Sequence, residues 1–164
     1  MQPGNADGAL PDDPAVHEQV CDEVLADARR SVRIFAPDLD QQLLNRDRVS
    51  ELLAGLARRN SSARIRILIA DAAQAVTDGH RLVYLARRLP SYITIRVLPR
   101  DSRSVSENWL MTDERTLFWR PDFRHLRHAI LHRDDPARCG ALQRYFDERW
   151  DQSLSDPALR QLHL

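Results

Sequence analysis

Three aspartates stand where short apolar runs end: Asp38 and Asp40 after SVRIFAP (31–37), and Asp71 at the close of ARIRILIAD (63–71). Three carboxylates on two adjacent strand ends could hold Mg2+, which takes oxygen ligands and keeps water. The same residues at the same places also cap helices and turns, the commoner duty of aspartate in α/β loops. Arg100, Asp101, Ser102 and Arg103 follow the next run, YITIRVLP (92–99). His125, His128 and His132 spell H-x2-H-x3-H, which on a helix would approach one face and look like a zinc site. On a strand, His128 and His132 share a face and His125 points away. No Cys, Asp or Glu stands at a complementary spacing inside that segment, so surface or edge histidines are the simpler reading. His80, just after Gly79 and near a helix start, has no evident nucleophile to serve and reads as structural. Ser102, Ser104 and Ser106 lie in a polar loop, and no G-x-S-x-G elbow occurs.

Composition removes whole classes of chemistry. All 24 basic residues are arginine, against 24 acidic ones, and the 164-residue chain has no lysine. A P-loop needs a lysine on the β/γ-phosphates, and a Schiff-base enzyme needs a lysine amine. A phosphotransfer receiver also uses a lysine beside its aspartate pocket. A formal net charge of zero argues against a generic polyphosphate binder and gives no indication of nucleic acid. Cys21 and Cys139 are far apart and share no metal spacing, so a reduced, cytoplasmic protein is the expectation. No apolar run reaches about ten residues, which speaks against a signal-peptide core or a membrane span. No cofactor is implied.

The elements that would position these residues follow from periodicity. Residues 1–13 carry Gly, Pro, Asn and Asp without period and read as a mobile tail. Val16, Val20, Val24 and Cys21, Leu25, Ala28 then recur at three- and four-residue steps, giving a helix with Asp13 as N-cap. A strand at 31–37 precedes a helix marked by Val49, Leu52, Leu53 and Leu56 that ends near Asn60. A strand at 63–71, a helix over 76–89 ended by Pro90, and a strand at 92–99 follow. The order α-β-α-β-α-β argues for a parallel sheet with right-handed connections. NWLMTDERTLFWRP (108–121) reads as a hairpin around Asp113-Glu114-Arg115, and residues 127–132 as a further strand. DDPARCGALQRYFDERWDQS (134–153) is a helix with Asp135 as cap, Pro136 in its first turn, and Leu142, Phe146 and Trp150 four apart. Residues 154–164 form an extension with one turn near Pro157. Domain-like organisation is therefore a tail, one α/β unit over 14–153, and that extension.

The strands carry a tension. Ile65, Ile67, Ile69 and Ile93, Ile95, Val97 make apolar faces, yet Arg64, Arg66 and Arg96 occupy the opposite ones. A parallel strand covered on both sides would be apolar throughout. One face of the sheet is then partly bare, or meets a subunit or an anion.

The order of elements resembles one half of the duplicated phospholipase D fold, over about residues 15–153. In that superfamily a strand carries H-x-K-x4-D, followed by a turn and a second strand with an aromatic. SENWLMTDERTLFWRP overlays it with Asp113 at the motif aspartate and Phe118 at the aromatic. The last helix resembles the family's closing helix through Phe146, Trp150 and Ser153. The resemblance implies a mainly parallel mixed sheet flanked by helices, with a C-terminal hairpin and closing helix. It also places Ser106 at the nucleophilic histidine and Asn108 at the phosphate-holding lysine. Loss of a nucleophile alone costs on the order of 10^6 in rate, and loss of the stabilising cation adds to it. An intact H-x-K-x4-D phosphodiesterase is excluded by this reading.

Within the superfamily, the run from SVRIFAPDLD to TIRVLP resembles a small bacterial family whose members occur alone or attached to GNAT-type acetyltransferases. Nothing here resembles the acetyl-CoA loop, and the five glycines are too scattered to build one. Single halves of the fold normally pair across the face that would hold the two active-site motifs, so the resemblance implies a homodimer. The expectation is a non-catalytic, dimeric binding or accessory module, with an acetyltransferase as one protein partner. A phosphate-bearing ligand would meet Arg66, Arg96, Arg100 or Arg103. The alternative is a metal-dependent phosphoester-processing enzyme using Asp38, Asp40 and Asp71.

Overall fold

The computed structural model describes residues 8–103, 107–121 and 128–160. The first helix, α1 (Pro14–Asp27), begins where expected: the Asp13 carboxylate accepts from the Ala15 amide, and Pro14 occupies the first turn, where no N–H is needed. Its stripe of Val20, Cys21, Val24 and Leu25 is buried. Strand β2 (Ser31–Phe35) follows, and a short α2 (Gln41–Leu44) is capped by Asp40. Helix α3 (Asp47–Arg59) then leads into β3 (Arg64–Ile69).

The helix expected over 76–89 is two helices, α4 (Ala72–Thr77) and α5 (Arg81–Arg88). Gly79 sits at φ +63°, a left-handed value glycine adopts without a side-chain clash, and His80 is extended. The apolar stripe of Leu82, Leu85 and Ala86 belongs to α5 alone. Strand β4 (Ile93–Val97) ends the parallel part, and a 3-10 turn over Arg100–Ser102 follows. The hairpin is as expected, with β5 (Asn108–Thr112) and β6 (Thr116–Arg120). Strand β7 is shorter than expected, Ile130–His132, and His128 lies before it with φ +65°. Helix α6 (Pro136–Gln152) is capped by Asp135, which accepts from the Arg138 amide. A single turn, α7 (Pro157–Arg160), follows.

One end of the expected tail is ordered. Gly8 and Ala9 form β1 and pair antiparallel with Leu131 and Ile130. The sheet order is β1-β7-β6-β5-β2-β3-β4. Strands β2, β3 and β4 are parallel, with Ile34 level with Ile67 and Ile67 with Ile95. All other pairings are antiparallel. The sheet is thus mixed, with a parallel half and a hairpin half that meet at β2 and β5.

Alternation along the strands makes two cores. Ile34, Ile65, Ile67, Ile69 and Ile95 pack in one cluster with buried residues of α1, α3 and α5. Phe35, Leu68, Leu98, Trp109, Met111 and Leu117 pack on the other side against Cys139 and Phe146 of α6. Among the described residues one long helix, α6, covers that second side, which explains the strand arginines. Arg33 binds Asp147 at 3.1 Å and Glu114 at 3.3 Å. Arg66 and Arg96 both approach the Trp150 ring, with their guanidinium carbons 5.6 and 5.3 Å from its centroid. The arginine stems fill space that a second helix would otherwise cover. Among the described residues no helix is long and apolar enough to cross a membrane.

Candidate functional site

Ligands of an open parallel sheet bind beyond the carboxyl ends of its strands. The most polar buried cluster lies there, where β2 gives way to α2 and the open end of the hairpin comes alongside. The hairpin pairs Asn108 with Arg120 across its open end, and β2 lies beside Asn108's strand through the Phe35–Trp109 pair. Asn108 is 3% exposed, and neither its amide nitrogen nor its oxygen makes a hydrogen bond. Beside it is a small space of about 10 Å3, lined in part by Ala36, Leu43, Leu44, Phe118 and Arg120. That is about the room for one water.

Arg120 is bound to Asp40 in a buried ion pair, with side chains only 6% and 10% exposed. Asp40 is occupied twice over, because its other oxygen accepts from the Gln42 and Leu43 amides at 3.1 Å each. The Arg120 guanidinium also lies 6.0 Å from the Phe118 ring centre. A second small space of about 20 Å3 lies between Arg120, Asp40 and His17. His17 donates from Nε2 to the Pro11 carbonyl, 2.9 Å away, and meets Phe118 edge-on. Burial holds the His17 ring below its ordinary pKa, partly opposed by that carbonyl.

His80 completes the cluster. It is fully buried, and its Nδ1 accepts from the Leu82 amide at 3.2 Å, so the neutral ring caps α5. Burial pushes its pKa down, opposed by the nearby carbonyls of Leu39 and Asp40, although Nε2 makes no hydrogen bond. The structural role expected for His80 is therefore a helix cap.

The motif positions do not gather at this end. Asn108 starts β5 and Asp113 follows its far end, about 17 Å away at the rise of an extended strand. Asp113 is a tether: its carboxylate accepts from the amides of Arg29, Arg30 and Ser31 at 2.9, 2.7 and 3.0 Å. Ser106 lies outside the described residues, as does His125.

The structure gives Asp38, Asp40 and Asp71, the candidate metal ligands, separate positions. Asp71 caps α4 through the Gln74 amide, Asp40 caps α2 and neutralises Arg120, and Asp38 is exposed. Their carboxylates serve amides and a guanidinium, and no cluster of three His, Cys, Asp or Glu suited to a metal occurs among the described residues. The four candidate anion-binding arginines also separate. Arg66 and Arg96 lie under α6 on Trp150, Arg100 is exposed in the 3-10 turn, and Arg103 donates from Nε to the Leu98 carbonyl at 2.9 Å. Burial lowers the Arg66 pKa, and the neighbouring Arg33 charge adds to that.

Sequence reasoning missed Arg120, the buried cation of the cluster. The hairpin itself carries the signal: a turn centred on Glu114 puts the sixth residue on either side, Asn108 and Arg120, opposite one another.

A family model described as "Domain of unknown function (DUF7931)" matches residues 13–162. No curated protein sequence matches. Among solved structures, the archaeal chromatin protein TrmBL2, which shows a novel mode of DNA binding, superposes with a TM-score of 0.66 at 12% identity. That match covers 95% of this chain and 57% of TrmBL2, so the chain spans a little over half of it. Nuc from Salmonella typhimurium, a phospholipase D family member, gives 0.59 at 13% identity, covering 84% of this chain and 89% of Nuc. NucT from Helicobacter pylori gives 0.59 at 11%, covering 90% and 96%. The fold is that of the phospholipase D superfamily.

Proposed function

The chain belongs to the family described as a domain of unknown function, DUF7931, and from that premise we propose that it is a non-catalytic, phospholipase D-like binding module that works as a homodimer. One observation carries the first half of this reading. At the position that resembles the superfamily's phosphate-holding lysine stands Asn108, buried against a space of about 10 Å3 and beside an arginine already neutralised by Asp40. A phosphodiester needs an accessible cation and room for its four oxygens, and a space for one water offers neither. Freeing the Arg120 guanidinium for a phosphate would separate it from Asp40, and breaking a buried pair costs about 3–5 kcal/mol.

The equal totals of 24 basic and 24 acidic residues favour a protein partner over DNA, although TrmBL2 shares the fold and binds DNA. Attachment to an acetyltransferase, which the sequence resemblance suggested, is one such partnership. The test of the catalytic half is incubation of the purified chain with bis(p-nitrophenyl) phosphate. No release above buffer is expected. Turnover that stays with the chain through purification and falls in Asn108→Ala would make it an enzyme and end this reading. Light scattering at about 50 μM, where a micromolar dimer is largely assembled, tests the second half.

A further inference from the structure

Asn108 and its cluster lie at the carboxyl end of β2. At the opposite end, where β2 and β3 begin, a recess of about 160 Å3 opens on the side of the sheet that α6 partly covers. It is lined by Ser31, Val32, Arg33, Arg64, Arg66 and Glu114. Strand register builds it. Ser31 is level with Arg64 and Arg33 with Arg66, and alternation turns all four side chains to the face that carries Phe35 and Leu68. Three guanidiniums therefore share one recess in a chain whose total charge is zero.

Their partners are unequal. Arg33 is anchored: its Nε and Nη2 donate to Asp147 at 3.1 and 3.3 Å, and its Nη1 donates to Glu114 at 3.3 Å. Asp147 thus grips one edge of the fork, whereas Glu114, its side chain 47% exposed, holds the other by a single contact. Arg64 and Arg66 make no ion pair or hydrogen bond among the described residues, and neither does the Ser31 hydroxyl. Arg66 approaches the Trp150 ring instead. Burial lowers the Arg66 pKa, and the Arg33 and Arg64 charges press it further down against the pull of Asp147 and Asp151. A guanidinium partly removed from water without a bound anion is costly. A dianion in the recess offsets both the desolvation and the mutual repulsion, and guanidinium forks match the oxygens of phosphate.

We propose that this recess binds a phosphate group, held by Arg64, Arg66 and the Ser31 hydroxyl, with the phosphate displacing Glu114 from Nη1 of Arg33. Glu114 is the exchangeable member, because a half-exposed carboxylate making one contact is weakly held. The space of about 10 Å3 beside Asn108 offers neither a free cation nor room, and the recess of about 160 Å3 offers both. The inference gives the proposed binding module a class of ligand and does not depend on the dimer.

The test is isothermal titration calorimetry of the full chain with inorganic phosphate and with glycerol 2-phosphate, well above neutral pH, where both are dianionic. The variants are Arg66→Met, Arg64→Met, Glu114→Gln and a control, Arg88→Met, on the helical face. Circular dichroism melts check that each folds; Arg64 and Glu114 are exposed, so their variants carry the test if Arg66→Met does not. Wild-type binding at about 1 mM or tighter is expected. Arg66→Met should weaken it about tenfold, and the exposed Arg64→Met about threefold. Glu114→Gln should tighten it about threefold by removing a competing charge. Arg88→Met should leave it unchanged. Tighter binding of phosphate assigns the recess to the free anion and tighter binding of the ester to a phosphorylated ligand; both uphold the site. No saturable binding of either, binding that both arginine variants leave intact, or an equal loss in Arg88→Met overturns it. Weakening by the arginine variants without a gain in Glu114→Gln overturns the exchange at Arg33. Phosphate binding together with phosphodiester turnover would end the non-catalytic reading and leave this site standing.

Discussion

Asp113 carries the largest single expectation for stability. Its three accepted hydrogen bonds join the β5–β6 turn to the chain entering β2, more than eighty positions earlier. The bond to the Ser31 amide is partly buried, and those to Arg29 and Arg30 are exposed. Hydrogen bonds to a charged acceptor contribute about 1.5–3 kcal/mol when shielded, less where water replaces the carboxylate. One shielded bond near 2 kcal/mol and two exposed ones near 0.5 each give about 3 kcal/mol. Asp113 also holds φ +53°, a left-handed value that alanine tolerates less well than aspartate or asparagine. Asp113→Ala is therefore expected to lose about 3–4 kcal/mol, a fall in melting temperature of about 10 °C for a chain this size. Asp113→Asn keeps the oxygen that serves Arg30 and Ser31, turns an NH2 toward Arg29, and should lose only about 1 kcal/mol. Urea unfolding read by tryptophan fluorescence measures both. A loss below about 1 kcal/mol in the alanine variant, or equal losses in the two, would refute the tether.

Three further outcomes are expected. Arg120→Met should destabilise by about 3–5 kcal/mol because it strands the Asp40 carboxylate, and adding Asp40→Asn should recover most of that loss in urea titrations. Trp150→Ala removes the ring stacked on Phe146 and approached by Arg66 and Arg96; with the site half-buried, the loss should be about 2–3 kcal/mol, and Trp150→Phe should lose under half as much. His17 and His80 both have pKa values held below 6.5 by burial. The unfolded chain therefore binds more protons than the folded one just below pH 6.5, so their contribution is full above that pH and is lost as pH falls through the folded values. His80→Asn keeps a capping acceptor but no titrating ring, and should flatten the decline in melting temperature between neutral and mildly acid pH; an unchanged slope would remove His80 from the account.

The elements that alternate cleanly were readable before any coordinates. Ile65, Ile67 and Ile69 announce β3, and Leu142, Phe146 and Trp150 announce α6, because a single period dominates each segment. Gly79 was visible too, yet the stripe from Leu82 onward hid the break, since glycine in a helical pattern does not by itself declare a left-handed φ. Gly8 and Ala9 carry no strand pattern at all; β7 recruits them through backbone hydrogen bonds. At the site, a chain without lysine rules out lysine-based phosphate binding from composition alone. The partners of Asp40 were out of reach, because Arg120 lies 80 positions along the chain and only the hairpin register brings it near.

Both borders of the sheet carry a short covering segment of the chain itself. At one, the two-residue β1 lies along β7; at the other, Leu154 exchanges backbone hydrogen bonds of 2.9 Å with Val97 of β4. Exposed strand borders invite pairing with other chains, and short covering segments of this kind suppress it. Fibril-like growth by strand addition thus begins only after one of these covers peels away. A denaturant or truncation that frees residues 8–9 or 154 while the sheet survives should raise aggregation before it lowers secondary structure, so solubility and unfolding report on different parts of the molecule.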